Sequence, residues 1–336
     1  MINYILVVPI LLSFLISLLF TPFWIKKAKR IGLLWNDMNK TSKERVAGSG
    51  GIITVLAFII GILIFISYRT FVLKSNDFLI ELLAMLVVVL FLAGVGFVDD
   101  LLGWQMGGLR RRHRIILVLL AAIPLMVINA GKSEIGLPLF GTIELGILYP
   151  LIIIPLGIVG ATTTFNFLAG FNGLEAGQGI LLMVGTGLVA YFTGSSWLFV
   201  VSLCMAFSLL AFLVYNFFPA KVFPGDSLTY GVGGLIAIIA ILGNFEKVAV
   251  FFFIPYIMEF FLKARGKLIK QSFGKPKKDG SLDLRENNIY GLGHLAIWLL
   301  NKKGRATEKK VVYLIWTFQL VIIILGFIIF RTGIFK

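Results

Sequence analysis

Charge is scarce in this chain: only 14% of its 336 residues are Asp, Glu, Lys or Arg. A soluble globular domain carries about 25%, so a water-facing fold of ordinary surface is excluded. Thiol chemistry has little to work with, since the single cysteine, Cys204, lies in an apolar run and has no intrachain disulfide partner. The two histidines, His113 and His294, lack the spacing of metal ligands and are expected at the interface. Acids number 16 against 31 Lys and Arg. No internal repeat, low-complexity tract or compositional break marks off a soluble domain, so residues 1–336 read as one integral-membrane domain.

What is abundant is apolar sequence, 59% of the chain. Long unbroken runs such as "VVYLIWTFQLVIIILGFIIF" near the C-terminus match a membrane-crossing helix and lack the alternation of a barrel strand. The fold class is therefore an all-α polytopic membrane protein. The first run, Ile2 to Trp24, has no basic leader and no small-residue cleavage site, and reads as a retained helix. Ten spans are expected, at 3–25, 47–68, 78–98, 114–130, 143–164, 178–194, 196–217, 228–244, 247–264 and 311–331, with tight turns at "TGSS" and "GNFE". With that topology 25 of the 31 Lys and Arg fall on one side of the membrane. The asymmetry places that side in the cytoplasm and both termini outside, and it explains the net charge of +15 without nucleic-acid binding. The one long connection, 263–310, is a cytoplasmic loop; its "EFFLKARGKLIK" opening is expected as an amphipathic surface helix, and "IYGLGHLAIWLL" as interfacial or re-entrant.

The remaining polar residues then fall together. "GFVDDLLG" (96–103), "RRRHR" (110–114), "NFLAGFNGLEAGQG" (166–179) and "VFPGDSLTYG" (222–231) all lie at the cytoplasmic face, which makes that face the expected active site. Asp99 and Asp100 end an apolar run, where a helix C-terminus disfavours negative charge. Two solvated acids would satisfy the pattern, but adjacent helical side chains diverge by about 100°, which also suits two different roles. Asp226 follows Pro-Gly and serves equally as a helix N-cap or a ligand group. The glycines around Asn166 and Asn172 suit a non-helical loop with exposed N–H groups for phosphate, or a capped interhelical turn. Oxygen donors from Asp and Asn suit Mg²⁺, or Mn²⁺, rather than zinc. The arginine run supplies charge for phosphates or simply fixes topology. A secondary transporter is the competing class, but its ionisable groups would sit near the midplane.

With "NDMNKTSKERVAGSGG" (36–51) and "NFFPAKVFPGDS", these stretches resemble the polyprenyl-phosphate N-acetylhexosamine-1-phosphate transferases, especially the archaeal and eukaryotic branch acting on UDP-GlcNAc and dolichyl phosphate. "LAGFNGLEAG" is the wording most specific to that branch. The resemblance implies that GlcNAc-1-phosphate passes from UDP-GlcNAc to a polyprenyl phosphate with release of UMP, the first membrane step of N-glycan-type assembly; another UDP-N-acetylhexosamine would use the same chemistry. It implies Asn166 and Asp226 as Mg²⁺ ligands, Asp99 and Asp100 as the essential acids, and Arg114 where the family has a lysine at the pyrophosphate. Gly170, Asn172 and Phe223 would hold the uridine, and Lys40 would join the substrate-binding residues. Two departures stand out: the Arg-His-Arg triplet of animal members is missing from the last loop, where Arg265, Lys270 and Gln271 are candidates, and a first-loop glutamate is replaced near Gly48. No role attaches to Glu175. Ile- and Lys-rich usage and the short last loop favour the cell membrane over the endoplasmic reticulum membrane, and a homodimer stays open.

Overall fold

The structure is a computed structural model that describes residues 6–42, 44–137, 141–286 and 288–335. Its long helices are α1 (Val7–Ile31), α2 (Gly51–Ser67, continued by a wider π-type turn to Val72), α3 (Leu79–Met106), α6 (Ile154–Phe167, preceded by another such turn from Tyr149), α7 (Leu174–Phe192), α8 (Ser196–Asn216), α9 (Gly225–Gly243) and α13 (Glu308–Ile329). These eight are long and apolar enough to cross a membrane. The other two expected spans, 114–130 and 247–264, are each a pair of short helices. They are α4 (Arg111–Ala121) with α5 (Ile123–Val127), and α10 (Glu246–Phe252) with α11 (Ile254–Arg265). The physical reason is local: Pro124 and Pro255 each sit at the start of the second piece, where proline cannot donate to the preceding turn.

Central to the bundle is α9, 83% of whose apolar window is buried. It packs against α3 and α6, and its glycine-rich "GVGG" segment lets both come close, the small-residue packing that membrane helices favour where no hydrophobic drive separates lipid from protein. The α7–α8 and α9–α10 connections turn at 193–196 and 243–246 as the sequence suggests, the second through Asn244 at φ +54°. Hydrogen bonds across the bundle join α1 to α8, with Ser17 Oγ donating to the Ser208 carbonyl at 2.9 Å and Tyr215 OH to the Leu18 carbonyl at 3.0 Å. Outward rows such as Leu11, Leu15 and Leu19 on α1 and Leu83, Val87 and Leu90 on α3 leave apolar side chains exposed, as contact with lipid tails requires.

Three small antiparallel hairpins depart from a purely helical expectation: β1 (Leu34–Asn36) with β2 (Arg45–Ala47), β3 (Glu134–Leu137) with β4 (Gly141–Glu144), and β5 (Lys275–Pro276) with β6 (Leu282–Asp283). The 263–310 connection is also more folded than a surface tract. "EFFLKAR" is the C-terminal part of α11, with Glu259 buried and Phe260, Phe261 and Arg265 exposed, so its two faces differ as expected of an amphipathic helix. "LGHLAIWLLNKK" is helix α12 (Leu292–Lys303), packed on α11 and α13. His294 is buried: Phe273 and Tyr290 main-chain groups contact its two ring nitrogens, and burial lowers its pKa below the usual value. His113 is exposed.

Candidate active site

Four helix ends meet at one face: the C-terminal turns of α3 and α6 and the N-termini of α7 and α9. Asp99 and Asp100 project from the second-last turns of α3 in different directions. Asp100 points at the start of α9, where its Oδ1 accepts the Asp226 N–H at 2.8 Å and its Oδ2 the Ser227 N–H at 3.5 Å. A carboxylate from another helix thus satisfies the free N–H groups of α9 and meets the positive end of its dipole. Asp226 itself makes no side-chain cap. The sequence left N-cap and ligand group open for Asp226; the cap comes from Asp100, 126 residues away. Gly225 allows this approach. It sits at φ +72°, and a methyl group there would overlap Asp100 Oδ2.

Asp99 turns to Arg114 on α4. Its Oδ2 lies 2.6 Å from Arg114 Nε, and its Oδ1 accepts the Leu109 N–H at 2.7 Å. Arg114 Nη1 reaches Asp226 Oδ2 at 3.6 Å, so one guanidinium spans two carboxylates. Asp99 is almost fully buried, whereas the Asp226 side chain keeps 24% of its surface exposed. This acidic corner opens at Asp226 and closes at Asp99.

Across from it lies the loop between α6 and α7. Gly170, at φ +115°, has its N–H held by Glu175 Oε1 at 3.1 Å and its carbonyl by Asn39 Nδ2 at 2.6 Å. Asn172 donates through Nδ2 to Asp37 Oδ2 at 3.0 Å, and its backbone N–H donates to Glu308 Oε1 at 2.8 Å. Asn39 also accepts the Gly274 N–H at 3.0 Å, which ties the first loop, the amide loop and the last loop together. Phe273 lies against Gly170, where a Cβ would come within 2.9 Å of its ring. Lys40 stands behind this wall: its Nζ pairs with Asp37 at 3.1 Å and with Glu44 at 3.2 Å. Burial alone would lower the Lys40 pKa, but its bonds to Asp37 and Glu44 raise it above the ordinary value.

Both regions border one cavity of about 560 Å³. Of the sequence-derived candidates, Asp100, Asn166, Gly170, Asn172, Phe223 and Asp226 line it. Asp99 and Arg114 sit behind Asp226, and Lys40 behind Asn172 through Asp37. Phe223 is placed by a short pairing with the end of β2 and the turn before α2: its N–H donates to the Ala47 carbonyl at 2.7 Å and its carbonyl accepts the Gly50 N–H at 2.9 Å. Residues not singled out from sequence also contribute, among them Asp37, Asn39, Glu308 and Phe273. Asp37 and Asn39 lie within the quoted "NDMNK" stretch; Glu308 and Phe273 carry no local signal. Of the last-loop candidates Arg265, Lys270 and Gln271, Gln271 lines the cavity.

The donor set suits a hard divalent cation. Asn166 and the open Asp226 carboxylate both line the cavity, oxygen ligands without nitrogen or sulfur competitors. Among the described residues no group of three or more His, Cys, Asp or Glu is arranged to hold a metal alone. A site with two protein oxygens fits an ion such as Mg²⁺ that keeps waters and takes substrate phosphate oxygens.

Sequence comparison agrees with the geometry. A protein of Saccharolobus solfataricus, provisionally named a UDP-N-acetylglucosamine–dolichyl-phosphate N-acetylglucosaminephosphotransferase, is 34% identical over 330 residues, 97% of each chain. The chain belongs to the family of polyprenyl-phosphate N-acetylhexosamine-1-phosphate transferases. Residues 82–244 match the model of glycosyl transferase family 4, a stretch that runs from α3 to the end of α9 and holds Asp99, Asp100, Arg114, Asn166, Asn172 and Asp226. A Dictyostelium discoideum UDP-N-acetylglucosamine–dolichyl-phosphate N-acetylglucosaminephosphotransferase is 29% identical over 264 residues, covering 67% of this chain and 63% of its own. A phospho-N-acetylmuramoyl-pentapeptide-transferase of Halalkalibacterium halodurans is 30% identical over 259 residues, 73% of this chain and 77% of its own.

Proposed function

We propose that this protein transfers GlcNAc-1-phosphate from UDP-GlcNAc to a polyprenyl phosphate of the dolichyl type, releasing UMP and leaving polyprenyl-diphospho-GlcNAc. The observation that carries the reading is the shared cavity: an acidic corner suited to a metal and diphosphate faces an amide loop suited to a nucleoside, at the end of a membrane bundle. The relatives named for this reaction on dolichyl phosphate match over most or all of this chain's length.

In the reaction an oxygen of the acceptor phosphate attacks the β-phosphorus of UDP-GlcNAc. A new O–P bond forms as the bond between the β-phosphorus and the bridging oxygen breaks, and UMP leaves with that oxygen. Mg²⁺, or Mn²⁺, held by Asn166 and Asp226, would neutralise the diphosphate and the leaving phosphate. The chain's own groups supply position and charge. Asp100 fixes the backbone that carries Asp226, and Asp99 fixes Arg114 beside it. Both acids are engaged in this way, which favours a positioning role over proton abstraction; a phosphate monoester with a second pKa of about 6 is largely ionised already. Gly170 and Phe223 would flank the uracil ring, with Asn172 at its edge. The amide of Asn172 is prepared for that task by Asp37, which accepts one of its N–H bonds.

A mostly apolar groove of about 390 Å³ between α6, α9, α10 and the start of α11, floored by Gly157, Gly160, Ala161, Ala237 and Ala240 and bordered by Glu246, would take the isoprenoid tail. We place the cavity at the cytoplasmic face and both termini outside from the distribution of basic residues, and the protein in the cell membrane from its Ile- and Lys-rich usage and short last loop. The contact of Phe335 with Phe192, at the end of α7 remote from the cavity, supports that arrangement for the C-terminus. The test is a panel of UDP-N-acetylhexosamines presented to the purified protein with Mg²⁺ and polyprenyl phosphate. UMP release is expected with UDP-GlcNAc and requires the lipid phosphate; release with a different hexosamine alone would move the assignment to that sugar.

A further inference from the structure

We infer that Lys263 is the cation that binds the acceptor's phosphate, an inference that rests on the transferase reading above. Among the described residues that line the cavity it is the single Lys or Arg, while Asp37, Asp100, Glu175 and Asp226 all contribute acids. Arg114 lies behind Asp226 and is already shared between two carboxylates. A site that brings two phosphorylated substrates together needs positive charge for the acceptor as well as for the diphosphate, and among the described lining residues Lys263 is the one cationic side chain.

The position of Lys263 selects the acceptor over the donor. The groove's described lining on α6 runs along Gly157, Gly160, Ala161 and Thr164, and Asn166, two residues on, already belongs to the polar cavity. The groove includes Phe253, just before α11, and Ile257 on it, and Lys263 lies about 9 Å beyond Ile257 along the axis, at a rise of about 1.5 Å per residue. Both helices therefore run from the apolar groove to the polar cavity, within two residues on α6 and six on α11. At that junction Phe167 stacks on Phe260, with ring centroids 6.3 Å apart and planes 9° apart. Lys263 Nζ lies 5.3 Å from the Phe167 centroid. A lipid whose tail follows the groove brings its phosphate out beside this amine.

The ammonium is held but not consumed. Glu259 is 3.7 Å away through Oε1, a long ion pair, and its Oε2 already accepts the Leu292 N–H at 2.5 Å. Lysine carries three donors, so two remain for phosphate oxygens. Glu259 keeps the stem pointed while the cavity receives the charge.

Steady-state UMP release, with polyprenyl phosphate and UDP-GlcNAc varied separately, tests this. Lys263→Met is expected to raise the KM for polyprenyl phosphate about 10- to 100-fold, the range for a lost charge-assisted bond, and to leave the KM for UDP-GlcNAc within about twofold. Lys263→Arg is expected to recover most of the acceptor affinity. The double variant Glu259→Gln/Lys263→Met removes the buried charge that the single variant strands, so it keeps the test open should Lys263→Met fail to fold. It is expected to retain the raised acceptor KM. An unchanged acceptor KM in a folded variant, restoration in the double variant, or a rise confined to UDP-GlcNAc would overturn the proposal while leaving the transferase reading intact. Absence of UMP from the unaltered protein with every UDP-sugar would overturn both.

Discussion

The acidic corner and the amide loop border the same cavity but are held in opposite ways. In the corner three carboxylates are gathered around one guanidinium and one helix N-terminus, so charge and dipole fix the geometry. In the amide loop side chains from two other segments, Asp37 and Asn39 of the first loop and Glu308 of α13, hold backbone groups and one amide in place, mostly through short polar hydrogen bonds. The corner therefore concentrates its dependence on a few groups, each with a steep effect. The loop spreads its dependence over several bonds, each worth about 0.5–1.5 kcal/mol net. The comparison is tested by removing groups from each side.

The largest effect is expected at Asp226, the carboxylate that opens into the cavity. Asp226→Ala should lower kcat for UMP release by about 10³-fold or more, the scale of losing a preorganised charge-stabilising group, with a melting temperature close to the parent's. Substantial activity in this variant would remove the metal role from the corner. Next comes Asp100, which acts through the backbone of α9. Asp100→Ala should lower kcat by about 10²-fold and cost about 1–2 kcal/mol of stability as a lost cap, whereas Asp100→Asn, which keeps an acceptor oxygen, should lose less of both. Equal losses for the two substitutions would point to direct chemistry at Asp100 instead.

Sequence reasoning reached the corner's membership but not its division of labour. Asp99 and Asp100 are adjacent and Asp226 stands after Pro-Gly, so each was visible; that Asp100 caps the helix of Asp226 depends on α3 and α9 packing together, which no local pattern records. The amide loop was legible as a glycine-rich interruption between hydrophobic runs. Glu175 received no role because its partner, the Gly170 N–H, is set by a turn at φ +115° rather than by helical spacing. Eight spans were legible because each is a continuous apolar helix; the two remaining expectations missed the breaks at Pro124 and Pro255, since hydropathy averages across a proline. The fold of residues 263–310 is only partly legible because α12 leans on Phe171 and the buried Glu259, and the segment before the hairpin on Ile297, instead of on a long apolar run of their own.

Smaller effects are expected in the loop. Asn39→Ala removes the bonds to Gly170 and Gly274 and should raise the KM for UDP-GlcNAc about 10-fold at nearly constant kcat, the equivalent of about 1.4 kcal/mol. A fall in kcat equal to that of Asp100→Ala would erase the distinction between the two regions. Glu175→Gln keeps an acceptor for the Gly170 N–H and should change kcat/KM by no more than about threefold, within the worth of one neutral hydrogen bond.

The central claim is that a phosphosugar, not a bare sugar, crosses to the lipid. Incubating the purified protein with UDP-GlcNAc, polyprenyl phosphate and Mg²⁺, and identifying both products by mass spectrometry, tests it most directly. The account predicts UMP together with a polyprenyl-diphospho-GlcNAc. Release of UDP with a polyprenyl-monophospho-GlcNAc, or no nucleotide product at all, would contradict it.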